Sequence, residues 1–180
     1  MPVPTLACPI DMRSVMDLAN YHNLPVLEDC CEAHGASWDG KKMGSYGTLS
    51  CFSFFVAHNI TTGEGGCCTT NKKKYYEKLK ALRNNGIIKE RKNFKFKNLG
   101  PWYYEQLELG FNYRMTDLKA ALGLSQLDRL EEFVARRNEL AHRYDKALGT
   151  FPINRQLGPE NVYSAKHLYV IRVPSQLHLK

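Results

Sequence analysis

Apolar positions change their spacing several times along the chain, and each change marks a different element. In residues 11–22, Met12, Val15, Met16 and Ala19 recur at helical spacing behind Asp11, a side chain suited to capping a helix N-terminus. The run Leu24-Pro25-Val26-Leu27 is then continuously apolar and ends in Glu28-Asp29, the pattern of a buried parallel strand with acidic residues at its carboxyl end. Leu49 to Val56 and Cys67 to Thr70 read as two further strands, separated by a loop from His58 to Gly66. A Lys-rich amphipathic helix is predicted over 72–85, with Gly86 placed to end it. Residues 87–100 have no clean periodicity and read as a mobile loop. Thr116-Asp117 opens a helix carrying Leu118, Ala121, Leu122 and Leu127, and a second helix over 131–148 presents Phe133, Val134, Leu140 and Tyr144; the two are expected to pack together. Ala165 to Val173 alternates like a strand and would begin a further subdomain.

Strand, helix and strand in this order predict an α/β fold with a mostly parallel sheet and flanking helices, in which ligands sit at the strand ends. With 180 residues and 43% hydrophobic content there is ample apolar surface for a core. No stretch approaches the roughly 18–20 apolar residues that cross a bilayer, and the start MPVPTLACPIDM lacks the charged and apolar regions of a signal peptide, so a cytoplasmic protein without membrane attachment is expected. The net charge of +7 is local: residues 72–97 hold eleven Lys or Arg against Glu77 and Glu90, and the rest of the chain sums to −2. Such a run reads first as a solvated helix face and only second as a nucleic-acid surface. The six cysteines include the adjacent pairs Cys30-Cys31 and Cys67-Cys68 inside apolar segments; they are expected to be reduced, buried hydrophobes, and their spacing matches no metal-ligand pattern.

Chemistry concentrates in the loop His58 to Gly66, where Gly63, Gly65 and Gly66 let the backbone pass close to a ligand. Taken alone, those glycines read first as simply turning the chain and only second as a ligand loop. Asp29 adds weight, since a carboxylate at the end of an apolar strand needs a cation or hydrogen-bond donors, although a salt bridge or a cap would satisfy it too.

Three stretches then carry a resemblance: Leu27 to Ala36 (LEDCCEAHGA), Cys51 to Phe55 with Thr61 to Gly66 (TTGEGG), and Gly110 to Asp117 (GFNYRMTD). Together they resemble the DegT/DnrJ/EryC1/StrS family, whose members use pyridoxal phosphate or pyridoxamine phosphate on nucleotide-linked keto-sugars, and the tail Ser164 to Val173 resembles members that make nonulosonic-acid precursors. The resemblance implies the large domain of a fold-type I pyridoxal-phosphate-dependent transferase, like that of aspartate aminotransferase. It implies that Asp29 pairs with the pyridine nitrogen, that Glu32 lies near the cofactor's 3-hydroxyl, that Ser53 contacts its phosphate, and that Asn112 reaches the phosphate held by a neighbouring subunit in a homodimer with a shared site.

One position departs from the family's aminotransferases. Five residues after Ser53 and five before Gly63 they carry the lysine that bonds covalently to the cofactor, and here it is His58. An imidazole forms no stable imine but is suited to moving a proton at neutral pH. The keto-sugar 3-dehydratases of the family share a histidine there and hold pyridoxamine phosphate without a covalent bond. By that likeness His58 is the catalytic base acting on a 4-keto-6-deoxy sugar nucleotide in surface-polysaccharide synthesis. Lys41, Lys42 and Lys72 to Lys74 do not replace the missing lysine in sequence, and His34 and His167 read as structural. Two other readings stay open: an impaired relative of the sugar aminotransferases, and a non-catalytic fragment or basic binding module. The resemblance further implies residues before Met1 and after Lys180, so that 1–150 would be part of the cofactor-binding large domain and 151–180 the start of a small domain.

Overall fold

The computed structural model describes residues 1–174 apart from Lys89 and Asn98. Helix α1, Met12–Tyr21, begins where the pattern places it: the Asp11 carboxylate accepts the amides of Arg13 and Ser14 at 3.0 and 3.1 Å, satisfying donors that the first turn leaves unpaired. The chain turns at Asn23 and enters β1, Leu27–Asp29. The acidic pair closes the strand as the pattern predicts, although β1 begins three residues later than the apolar run. Strands β2, Ser37–Trp38, and β3, Lys41–Lys42, form a hairpin over Asp39-Gly40, both with positive φ. Strand β4, Leu49–Ser53, lies parallel to β1 with Asp29 opposite Cys51, and β5, Gly66–Thr69, lies antiparallel to β4.

The α/β class is as expected, but among the described strands parallel pairing is confined to β1 and β4. The physical reason is the connection. Residues 54–65 return β4 to β5 through a loop without a helix, and parallel neighbours require a longer crossover. The expectation that Cys67 and Cys68 are buried also fails. Both are exposed, because every residue of β5 at the end of this sheet is exposed.

Helix α2, Lys73–Leu82, is shorter than predicted; Asn85 and Gly86 take positive φ and the Gly86 amide returns to the Ala81 carbonyl at 2.8 Å. The stretch read as an irregular loop contains β6, Ile87–Ile88, paired with β7, Glu105–Gln106. It is organised by buried Glu105, which accepts the amides of Lys95 and Phe96 at 2.8 and 2.9 Å. Lys89 and Asn98 of that stretch lie outside the described residues. Helices α3, Asp117–Leu127, and α4, Leu130–Ala147, start within a residue of their predicted positions, with the Thr116 hydroxyl capping α3. Their expected mutual packing does not bury α3, which has no buried residue and leaves Leu118, Leu124 and Leu127 exposed.

The core lies instead between α1, the turn after β1, and α4: Met12, Cys30, Ala33, Trp38 and Val134 are buried together with Ala165 from the far end of the chain. Strand β9, Val162–Tyr163, joins β2, while the alternating tail forms only β10, Ile171–Arg172, against β8, Asn154–Arg155. Gly35 shows how closely α4 approaches, since a Cβ there would stand 2.9 Å from a Val134 methyl, and its φ of +83° is left-handed.

Candidate active site

The site is built at the ends of β1 and β4, and its foundation is a residue that the sequence reading passed over. Glu28 is fully buried, and its carboxylate accepts amides from Gly44, Tyr46 and Gly47 at 2.7, 2.8 and 2.6 Å. A buried carboxylate is tolerable only with such a set of donors, and this one ties the strand to the turn that precedes β4. Its neighbour Asp29 turns to the opposite face, half-buried, accepting the Cys31 amide at 3.2 Å and facing the Cys51 thiol at 3.8 Å. Burial, together with the Asp29 carboxylate, pushes the Cys31 thiol up to about 12 and raises that of Cys51 as well.

Ser53 closes β4 opposite Gly66, and its hydroxyl oxygen accepts the Phe55 amide at 3.3 Å. The chain then bends back on itself: the Phe54 amide bonds the Gly65 carbonyl at 2.8 Å and the Thr62 amide bonds the Phe54 carbonyl at 2.9 Å. These contacts fix the loop, so that the glycines serve its closure and His58 is held against the protein.

His58 is not alone. Its ring centre lies 5.2 Å from that of His167 and 6.1 Å from that of His34. Glu32 accepts the Leu6 amide at 2.5 Å and stands 4.0 Å from His167 Nε2. The three histidines are gathered by neighbouring side chains: the Asn59 amide donates to the Ala165 carbonyl at 3.0 Å, and Arg137 donates to the carbonyls of Lys166 and His167 at 3.2 and 3.1 Å. Among the described residues, His34 Nδ1 and Nε2, His58 Nδ1 and His167 Nδ1 are buried without a hydrogen-bond partner. Burial depresses His34 to about 4, and it lowers His167 despite the opposing pull of Glu32, with the neighbouring histidines working in the same direction as burial. His34 and His167, read from the sequence as structural, thus share a polar cluster with His58. No spacing could have announced this, because 109 positions separate His58 from His167 along the chain.

Asn112 is exposed and joins the rest of the protein by a backbone bridge to Asn84, whose side chain accepts from Arg114 at 2.7 Å. Phe111 and Tyr113 on either side of it stack with ring centres 4.9 Å apart and line a cavity of about 720 Å³ that also reaches Cys51, Gly65 and Gly66. The basic segment supplies ion pairs such as Lys78 with Glu108 and Lys80 with Glu77, the behaviour of a solvated helix face.

The profile of the DegT/DnrJ/EryC1/StrS aminotransferase family matches residues 1–180. The chain belongs to that family. It is 38% identical over 169 residues to the GDP-perosamine synthase of Caulobacter vibrioides, covering 94% of this chain and 42% of that protein. It is 36% identical over 166 residues to the UDP-4-amino-4,6-dideoxy-N-acetyl-beta-L-altrosamine transaminase of a Campylobacter jejuni strain, covering 90% and 41%. Among solved structures, Helicobacter pylori PseC, an aminotransferase involved in the biosynthesis of pseudoaminic acid, superposes with a TM-score of 0.86 at 30% identity, over 97% of this chain and 45% of that one. The chain therefore spans about two fifths of the length of these relatives, and the fold is that of their fold-type I transferases.

Aminotransferases of this family use pyridoxal or pyridoxamine phosphate, and a Streptococcus pneumoniae member is known in both forms. The residues of this chain fit such a group. The Asp29 carboxylate accepts one amide and keeps further lone pairs for a cationic N–H, the Ser53 hydroxyl accepts one amide and keeps its own proton to donate, and among the described residues His58 Nδ1 is buried without a partner. Among the described residues no helix is long and apolar enough to cross a membrane.

Proposed function

We propose that this chain is the part of a pyridoxamine-phosphate-dependent, 3-dehydratase-type enzyme that carries the ring-nitrogen carboxylate and the proton-moving base. The substrate would be a nucleotide-linked 4-keto-6-deoxy sugar destined for surface polysaccharide. The observation that carries this reading is the packing of His58, which the family resemblance puts at the lysine position, against His167 and, through it, Glu32. When bound, the cofactor supplies an amine for the sugar ketone and a ring that withdraws electrons. Asp29 holds the ring nitrogen protonated, which keeps that withdrawal strong. His58 would take on its imidazole the proton of the C–H bond beside the cofactor's amine while the sugar's C3–O bond breaks, and that proton and the departing hydroxide together make one water. Glu32 stands behind His167 and opposes the lowering of that imidazole's proton affinity by burial. Glu32 near the cofactor's own 3-hydroxyl and Ser53 at its phosphate complete the assignment.

A homodimer with a shared site belongs to the same reading, supported by exposed Asn112 between two exposed aromatic rings. A cytoplasmic location is proposed with it. The named relatives support a second reading, a sugar aminotransferase impaired by the loss of its lysine, since both a synthase of GDP-perosamine and a transaminase align over most of the chain.

The two readings separate on His58→Lys. Restoring the lysine should create a covalent, borohydride-trappable adduct with pyridoxal phosphate that absorbs in the visible, while abolishing dehydration of the keto-sugar. If dehydration survives the replacement undiminished, His58 is not the base.

A further inference from the structure

The Asp29, Cys31 and Cys51 side chains meet at one point, and the reading above uses only the first of them. Asp29 and Cys51 are register partners on the parallel strands β1 and β4, so their side chains emerge side by side on one face. The chain leaves β1 in a turn that brings Cys31 back to the same place: its amide donates to Asp29 Oδ1 at 3.2 Å, and the preceding Cys30 amide bonds the Cys51 carbonyl at 2.8 Å. One carboxylate oxygen and two thiol sulfurs, all half-buried, lie within 4.8 Å of one another. None of the three is tied into an ion pair among the described residues, and neither thiol is in a disulfide.

These distances have a natural scale. In a tetrahedral zinc site with bonds of about 2.3 Å to sulfur and 2.0–2.2 Å to oxygen, ligand atoms stand about 3.5–3.8 Å apart. Cys51 Sγ is 3.8 Å from Asp29 Oδ1. Two sulfurs and one oxygen also form a donor set that favours a borderline-soft cation over magnesium or calcium. The backbone bonds around Cys30 and Cys31 and the β1–β4 pairing hold the trio in place.

We infer that Asp29, Cys31 and Cys51 form a three-ligand site for a thiophilic divalent cation of the zinc class, with the fourth coordination position open to water. The binding stands on these three residues alone. Its consequence rests on the reading given under Proposed function: the ion engages the same carboxylate that would hold the ring nitrogen, so cation and cofactor exclude each other, and the metal acts as an inhibitor of the site.

Titrating the reduced chain with Cd²⁺ tests the site directly, through the thiolate-to-cadmium charge-transfer absorption in the ultraviolet. One equivalent should saturate the band, and the Cys8→Ser/Cys67→Ser variant should keep it. Cys31→Ser and Cys51→Ser should each weaken binding by at least about 10-fold. Asp29→Asn, which leaves both thiols and the charge-independent shape of the site, should weaken it as well, and this variant decides the matter if a cysteine variant fails to fold. No band, or a band unaffected by Asp29→Asn and by either serine variant, overturns the site. Zn²⁺ at one equivalent should then weaken pyridoxamine phosphate binding by at least about 10-fold; Cd²⁺ binding without that competition would keep the metal site and refute the cofactor role of Asp29.

Discussion

Glu28 and His34 show two ways in which a buried polar residue can be held. Glu28 has both carboxylate oxygens engaged, Oε1 by the amides of Tyr46 and Gly47 and Oε2 by that of Gly44. Glu28→Gln preserves shape but turns one acceptor into a donor facing an amide, so denaturant unfolding should show a loss of about 2–4 kcal/mol. His34 has neither ring nitrogen engaged among the described residues and packs between Phe52 and Phe54 at ring-centre distances of 5.4 and 5.9 Å. Its proton affinity in the folded state, depressed from 6.5 to about 4, lies below that of the unfolded chain. The unfolded state therefore takes up the proton first, and stability falls as pH drops from about 6.5 towards 4, by about 2–3 kcal/mol for this residue. His34→Phe should flatten that decline while leaving stability at neutral pH equal or higher, as read by unfolding curves at several pH values; an unchanged acid slope would show that His34 is not the group responsible. Residue types at this scale were legible in part. Asp29 was singled out because a carboxylate at the end of an apolar strand needs partners, and His58 because the family resemblance expects a lysine at its place, whereas the burial of Glu28 was hidden by its position beside Asp29 in an acidic pair.

Elements were read best where a cap accompanied the periodicity. Asp11 before α1 and Thr116 before α3 located both starts, because a side-chain oxygen there satisfies amides that the helix cannot. Asp11→Ala should accordingly lower stability by about 1 kcal/mol in denaturant unfolding, and no change would show that α1 does not depend on its cap. Elements were read worst where tertiary contacts, and not local pattern, set the outcome. The direction of β5 depends on how residues 54–65 return, the β6–β7 pair depends on Glu105 gathering the amides of Lys95 and Phe96, and the exposure of α3 depends on what lies opposite its apolar face. None of these is encoded in the spacing of hydrophobic residues within the element itself.

For the whole molecule, the histidine cluster requires the two ends of the chain to meet. Ala165 sits in the same core as Met12, the Ser164 hydroxyl donates to the Ala7 carbonyl at 2.9 Å, and His167 is thereby carried to His58. That closure sets the His58 imidazole beside His167 and, through it, Glu32, in a chain that covers 42% and 45% of the length of two relatives. The central claim is that this chain binds the cofactor without a covalent bond. The most direct test is to titrate the chain, and the chain extended to the length of its relatives, with pyridoxamine phosphate and pyridoxal phosphate while following absorbance and thermal stability. The account predicts that pyridoxamine phosphate raises the unfolding temperature and that pyridoxal phosphate leaves no borohydride-trappable adduct. Failure of both cofactors to bind at either length, or a trappable adduct with the unaltered His58 chain, would contradict it.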